Sequence, residues 1–330
     1  MASAAIVLAG CGSASSPRPA DQPSHPSPPG RSTIYVVDRP TLIPIEAAQH
    51  KTGRPIVLPA GSAGVAIAPD RRTAYVTAGA LVIPVDLATG AQRKPFAVPG
   101  ISSPIAVGRD SSTGYLLHGS DIAVLNLRRG TIERSIVVPG IAIDSLLLPA
   151  KGQAGCVIGT TITTGFGTGP PVLERVDLAT GRKGKRVTIP AFFASALAPD
   201  GRTAYLASGN LLVPVDVGTG KVGQAIKTPM RGIGAIAIAT NGRTAYVGNL
   251  KPQGPHSGLI VPVDLAAGKA LAAIHVPSYP YSITDIVIAQ DQRTAFAAAY
   301  SAVIPINLST RKVEPPIHMP DGAHAIILAP

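Results

Sequence analysis

Ala68-Pro69-Asp70-Arg71-Arg72-Thr73-Ala74-Tyr75-Val76 is followed shortly by Ile83-Pro84-Val85-Asp86-Leu87-Ala88-Thr89-Gly90. Each half places a polar turn next to a run of apolar and β-branched residues. In the first, an Asp opens a turn and a strand then begins Thr-Ala-Tyr, which is hairpin chemistry. In the second, a strand ends in Asp-x-x-Thr-Gly, where Asp bonds local backbone and Gly takes the left-handed position. Both halves recur. Ala198-Pro199-Asp200-Gly201-Arg202-Thr203-Ala204-Tyr205-Leu206 repeats the first, with further copies at Asn241–Val247 and Asp291–Phe296. Val213-Pro214-Val215-Asp216-Val217-Gly218-Thr219-Gly220 and Val261-Pro262-Val263-Asp264-Leu265-Ala266-Ala267-Gly268 repeat the second. Weaker copies centre on residues 44, 124, 175 and 305, so the full series is 44, 84, 124, 175, 214, 262 and 305. A period of roughly 40–50 residues is that of a propeller blade.

Four short strands, a to d, fit in each period. In the second repeat they are predicted at 65–68, 73–77, 81–86 and 95–98. The first unit lacks a strand a: its strands are predicted at 33–37, 42–45 and 55–58. The chain ends in an orphan apolar strand, 324–329, which supplies the missing one. The expected fold is therefore all-β, a seven-bladed propeller of four antiparallel strands per blade. It closes where the C-terminal strand a joins the N-terminal strands b, c and d, and deleting the last eight residues should open the ring. Radial repetition of this kind hides sheet edges. Through Thr-Ala-Tyr-Val, Pro-Asp-Gly-Arg-Thr and Asp-Leu-Ala-Thr-Gly, residues 33–330 resemble the YVTN-type (YncE-like) β-propeller family. That resemblance implies the fold and leaves the function open, since such propellers serve many roles.

Composition bounds the rest. The 330 residues are 45% hydrophobic, 14% charged and 4% aromatic, with no tryptophan and a net charge of +11. This is too apolar for a disordered chain, and no apolar run reaches the ~18–20 residues of a spanning helix. Leu8-Ala9-Gly10-Cys11 resembles the lipobox of bacterial lipoproteins, in which the cysteine becomes the lipidated N-terminus. Residues 1–11 are read as that signal, Cys11 as the lipidation site, and 12–32, rich in Ser and Pro, as a tether. No basic residue precedes Arg18, so the natural start is expected upstream. The expected address is extracytoplasmic, lipid-anchored to the cell membrane. Cys156 lies in the apolar stretch Ala154–Ile158 and is expected to be a buried free thiol.

A four-stranded meander puts its a–b and c–d turns on one end and its b–c and d–a loops on the other. The first end collects 21 of the 29 Lys and Arg residues, against nine acids. A basic face turned toward anionic headgroups is the resulting expectation. The opposite end carries two insertions, 160–171 and 248–258. It also gathers the candidate ligand-binding residues His118, Asp121, Arg231, Asn249, His256, Tyr279, Tyr281 and Asp285. Long loops on a rigid scaffold are where binding concentrates, and two tyrosines beside Arg and His make a stacking and hydrogen-bonding surface.

No P-loop, nucleophile elbow or paired His/Cys metal spacing is present. No catalytic residue, metal or cofactor is therefore assigned. Nucleic acid is not an expected partner, because no aromatics interleave the basic turns. The expected function is a non-enzymatic, monomeric envelope lipoprotein that binds a protein or envelope ligand on the insertion face. The alternative is a lactonase-like hydrolase with Asp144, Asp285, Arg231 and Asp321 over the channel.

Overall fold

The structure, a computed structural model, describes residues 33–38, 40–98, 105–148, 154–162, 168–250, 258–276, 282–320, 322–323 and 325–328. Cys11, His256, Tyr279, Tyr281 and Asp321 lie outside the described residues, as do all of residues 1–32. The described chain forms seven antiparallel sheets and no helix. In the second blade the strands are Ser62–Ile67, Thr73–Ala78, Leu81–Asp86 and Phe96–Ala97, in that order from inner to outer edge. The first blade is assembled from both ends of the fold. Strand Ala325–Leu328 pairs with Thr33–Asp38, with Val36 opposite Ile326.

Seven hydrophobic clusters hold the blades together, each joining the facing surfaces of two neighbours. The closing interface is an ordinary member of the set. Ile34, Val36 and Ile326 of the first blade pack on Phe296, Ala298 and Val303 of the last. Phe296 is fully buried there, and His50 meets its ring edge-on at 5.8 Å between centroids. Closure thus buries apolar surface on the same terms as any other blade contact.

A cross-strand pair repeats around the ring. Tyr35, Tyr75, Tyr205, Tyr246 and Phe296 of strand b stand opposite Pro44, Pro84, Pro214, Pro262 and Pro305 of strand c. Proline in an inner strand would ordinarily cost a ladder bond. Here the prolyl nitrogen faces strand d, where no donor is needed, while each prolyl carbonyl accepts a backbone N–H from strand d. The consequence is a broken outer strand. Strand d is split in the first and sixth blades (Lys51–Thr52 and Ile56–Val57; Lys269–Ala270 and Ile274–Val276). In the second, fifth and seventh it is reduced to an isolated bridge plus a short pair. Outer edges broken in this way are poor templates for further strands.

The turn motifs perform as their chemistry suggests. Asp86 Oδ1 accepts the N–H groups of Ala88 and Thr89, and Gly90 has φ +74°. Asp70 Oδ1 likewise accepts from Arg72 and Thr73. The left-handed residue of the a–b turn is glycine in two copies (Gly201, Gly242). In three others it is Arg71, Ser111 or Gln292. Two of these side chains explain the exception by reaching the neighbouring blade: Ser111 Oγ accepts the Asp70 N–H, and Gln292 Oε1 accepts the Thr240 N–H.

Candidate functional site

The end of the disc bearing the b–c and d–a connections is built differently from the other end. Where a loop over 160–171 was expected, residues 160–162 and 168–171 extend the flanking strands. Strands Ala154–Ile162 and Thr168–Asp177 continue as a hairpin, paired as far as Ile162 opposite Thr168. Thr161 Oγ1 adds a bond to Pro170 O at 3.2 Å. At the base of this hairpin Gly159 allows the inner strand to pass, since a Cβ there would lie 2.2 Å from Ala142 O. In the second insertion, Gly248 and Asn249 close strand b and Gly258 opens strand c.

The candidate residues fall into three groups. His118 and Asp121 are brought together, directly opposite each other across the tight turn of the third blade. His118 is exposed, and Asp121 accepts a bond from Ser135 Oγ at 3.5 Å. Arg231 is exposed in the connection between the fifth and sixth blades, next to the buried Met230. Asn249 and Asp285 are instead structural anchors. Asn249 is fully buried, and its Oδ1 accepts the Leu259 N–H at 2.7 Å, fastening the neck of the second insertion. Asp285 accepts the N–H of Ile286 through Oδ1 and that of Ile326 through Oδ2, both at 2.9 Å.

Asp285 has a place in the repeat that explains this role. Each inner strand carries one residue opposite the fourth position beyond the start of strand b. Around the described ring these are Ala325, Gly64, Ser145, Ala194, Ala235 and Asp285. All are small except the aspartate, which faces the first blade and takes up an inner-strand N–H of the closing strand. Burial drives its carboxyl up to about 6, against the lowering effect of the two N–H groups. Ser145, its counterpart in the fourth blade, buries a hydroxyl that makes no hydrogen bond.

Of the hydrolase alternative, the described residues Asp144, Arg231 and Asp285 are not joined. Asp144 sits in a bulge of the fourth blade's inner strand, where desolvation raises its carboxyl. No hydrogen bond or ion pair links it to Arg231 or Asp285. Among the described residues no group of three His, Cys, Asp or Glu side chains converges. A cleft of about 260 Å³ does exist, but on the outer rim between the third and fourth blades. Its cations are occupied: Arg134 donates to the carbonyls of Leu178 and Ala179, and Lys183 donates to Val137 O. It is a clasp between blades.

Exposed apolar side chains are the feature that sequence reading missed. Among the described residues nine large hydrophobics stand out into solvent, and six of them lie at the insertion end: Val57, Leu81, Val137, Ile162, Phe193 and Tyr300. Phe193 is 60% and Tyr300 70% exposed. A trace of this was visible in the chain. Tyr300 stands where equivalent b–c turns have Gly79, Gly119 and Gly209, and Phe193 is the second of a Phe-Phe pair whose first member packs inward.

With this geometry in place, solved structures of similar shape can be set beside it. Kuenenia stuttgartiensis hydrazine synthase superposes with a TM-score of 0.65 at 17% identity, covering 88% of this chain and 93% of that one. The dihydro-heme d1 dehydrogenase NirN in complex with DHE gives 0.61 at 13% identity, covering 94% of this chain and 77% of that one. At such identities the likeness is one of fold: a β-propeller. No family model matches the chain, and no curated protein matches it.

Proposed function

We propose that this propeller is a non-enzymatic binding scaffold of the cell envelope, lipid-anchored through Cys11 and related to the YVTN-type propellers. It binds a protein partner on the end bearing the 160–171 and 248–258 insertions. The observation that supports this reading is the division between the two ends. Six of the nine exposed large hydrophobics gather on the insertion end, whereas the turns at the other end carry most of the cations. Aromatic anchors amid polar loops are what protein interfaces use. Propeller rigidity keeps those anchors in place at low entropic cost. The Leu8-Ala9-Gly10-Cys11 sequence and the Ser/Pro-rich stretch after it support the envelope address.

The test is affinity capture with the intact lipoprotein, run beside the double variant Phe193→Asp/Tyr300→Asp and the turn variant Arg202→Glu. A partner retained by the wild type and by Arg202→Glu, and lost from the aromatic double variant, supports the assignment. A partner held equally by all three overturns it.

A further inference from the structure

We propose that the a–b and c–d turn end of the disc is a docking surface for an anionic lipid bilayer, which seats the propeller with its insertion end facing away. This goes beyond the partner-binding reading and rests on separate residues. Twenty lysines and arginines are described at or next to these turns and all are exposed, although Lys183 and Arg186, in strand d, turn away to the carbonyls of Val137 and Pro139. The acids interleaved with them are drawn back into the backbone. Asp86, Asp177, Asp264 and Asp291 each accept two N–H groups of their own turn. Carboxylates so held cap turns; Arg93 is paired with Asp86 and Lys312 with Glu314, while Arg202, Arg243 and Arg293 stand exposed beside their turns.

The arrangement also fits a plane. Every blade contributes, from Arg54 in the first through Arg129, Arg202 and Arg243 to Arg293 in the last. The charge therefore forms an annulus looking along the ring axis, rather than a stripe that would follow a rod-like polyanion. The described turns hold no Phe, Tyr or Trp on which a base would stack. Strand b of the first blade opens at Thr33 on this same end, so the segment leading back to Cys11 leaves from the face proposed to meet the membrane. Each Lys or Arg within reach of an anionic surface strengthens binding by about fivefold, an effect lost beyond roughly one Debye length.

The experiment uses the full chain carrying Cys11→Ser, so that no lipid supplies the binding. Sedimentation with phosphatidylglycerol-containing vesicles at ~0.05 M salt should capture it, whereas pure phosphatidylcholine vesicles should not, and ~0.5 M salt should release it. Arg202→Glu should weaken capture at least about fivefold, and Arg128→Glu/Arg129→Glu on the order of 25-fold. Lys227→Glu makes the same charge change as Arg202→Glu at the opposite end and should leave capture unchanged. The proposal fails if both vesicle types bind alike, or if Lys227→Glu and Arg202→Glu weaken binding equally. It also fails if a short DNA duplex at matched phosphate concentration binds more tightly than the anionic vesicles.

Discussion

Replacing Asp285 with Asn changes how the protein's stability responds to pH, and the size of the effect follows from the closure geometry. The Asp285 carboxylate is half-buried between the last inner strand and the closing strand, and holds the N–H groups of Ile286 and Ile326. Burial raises its carboxyl from 3.8 to about 6. At roughly 1.4 kcal/mol per unit, that displacement corresponds to about 3 kcal/mol. The sign is fixed by proton binding. Between pH 4 and 6 the folded state holds this proton more tightly than the unfolded chain, so this contribution to stability falls as pH rises through that window. Acidifying from pH 7 to pH 4 should therefore stabilise the wild type relative to Asp285→Asn by about 2 kcal/mol, most of the full displacement. Urea unfolding of both proteins across pH 4–7 measures the difference. Parallel pH profiles would refute the reasoning, as would a wild type that gains stability relative to the variant on going from pH 4 to 7. Below pH 4 the order of events changes. Asp86, Asp177 and Asp216 are held low, chiefly by N–H bonds from Thr89, Thr180 and Thr219 in their turns, and stability linked to them is lost as they protonate.

Three further outcomes follow. Phe296→Ala empties the closing interface of its largest side chain and should cost about 3–5 kcal/mol, read by urea unfolding at fixed pH. Arg311 holds φ +60° at the turn position that other blades give to Gly90, Gly181 and Gly220; Arg311→Gly should relieve left-handed strain and raise stability by about 0.5–1 kcal/mol after the entropy cost of glycine, measured the same way. Cys156 is fully buried in the fourth blade, and desolvation pushes its thiol well up; an alkylating reagent at pH 8 should leave it unmodified in the folded protein and label it only in denaturant, as mass spectrometry would show.

The fold was legible because the repeat is written twice over, in the Asp-centred turns and in the strands that flank them. The seven units, the strand order and the closing role of the last apolar segment all follow from that pattern. Its irregularities were less legible. The broken strand d depends on which side of strand c the proline nitrogens face, and the pairing that runs on to Ile162 opposite Thr168 rests on cross-strand contacts that no local motif announces. The candidate site is less legible in the sequence, for a physical reason. Polar type and loop position do not say whether a side chain points outward. Asn249 and Asp285 were grouped with His118 and Arg231 because all four are polar and lie near the same end. Only the register shows that Asn249 fastens a loop neck and that Asp285 binds an inner-strand N–H across the closing interface. The reverse holds for Phe193 and Tyr300, apolar residues that a core would ordinarily claim and that the turns instead leave exposed.

The two ends of the disc are most directly distinguished by how deep each lies near a membrane. With Cys156 buried and Cys11 proposed to carry the anchor, Arg202→Cys and Phe193→Cys each offer a single site for an environment-sensitive fluorophore on the protein produced with its lipid. In anionic vesicles with brominated lipids, the label at 202 should be strongly quenched and the label at 193 scarcely at all. Stronger quenching at 193, or equal quenching at both sites, would contradict the account.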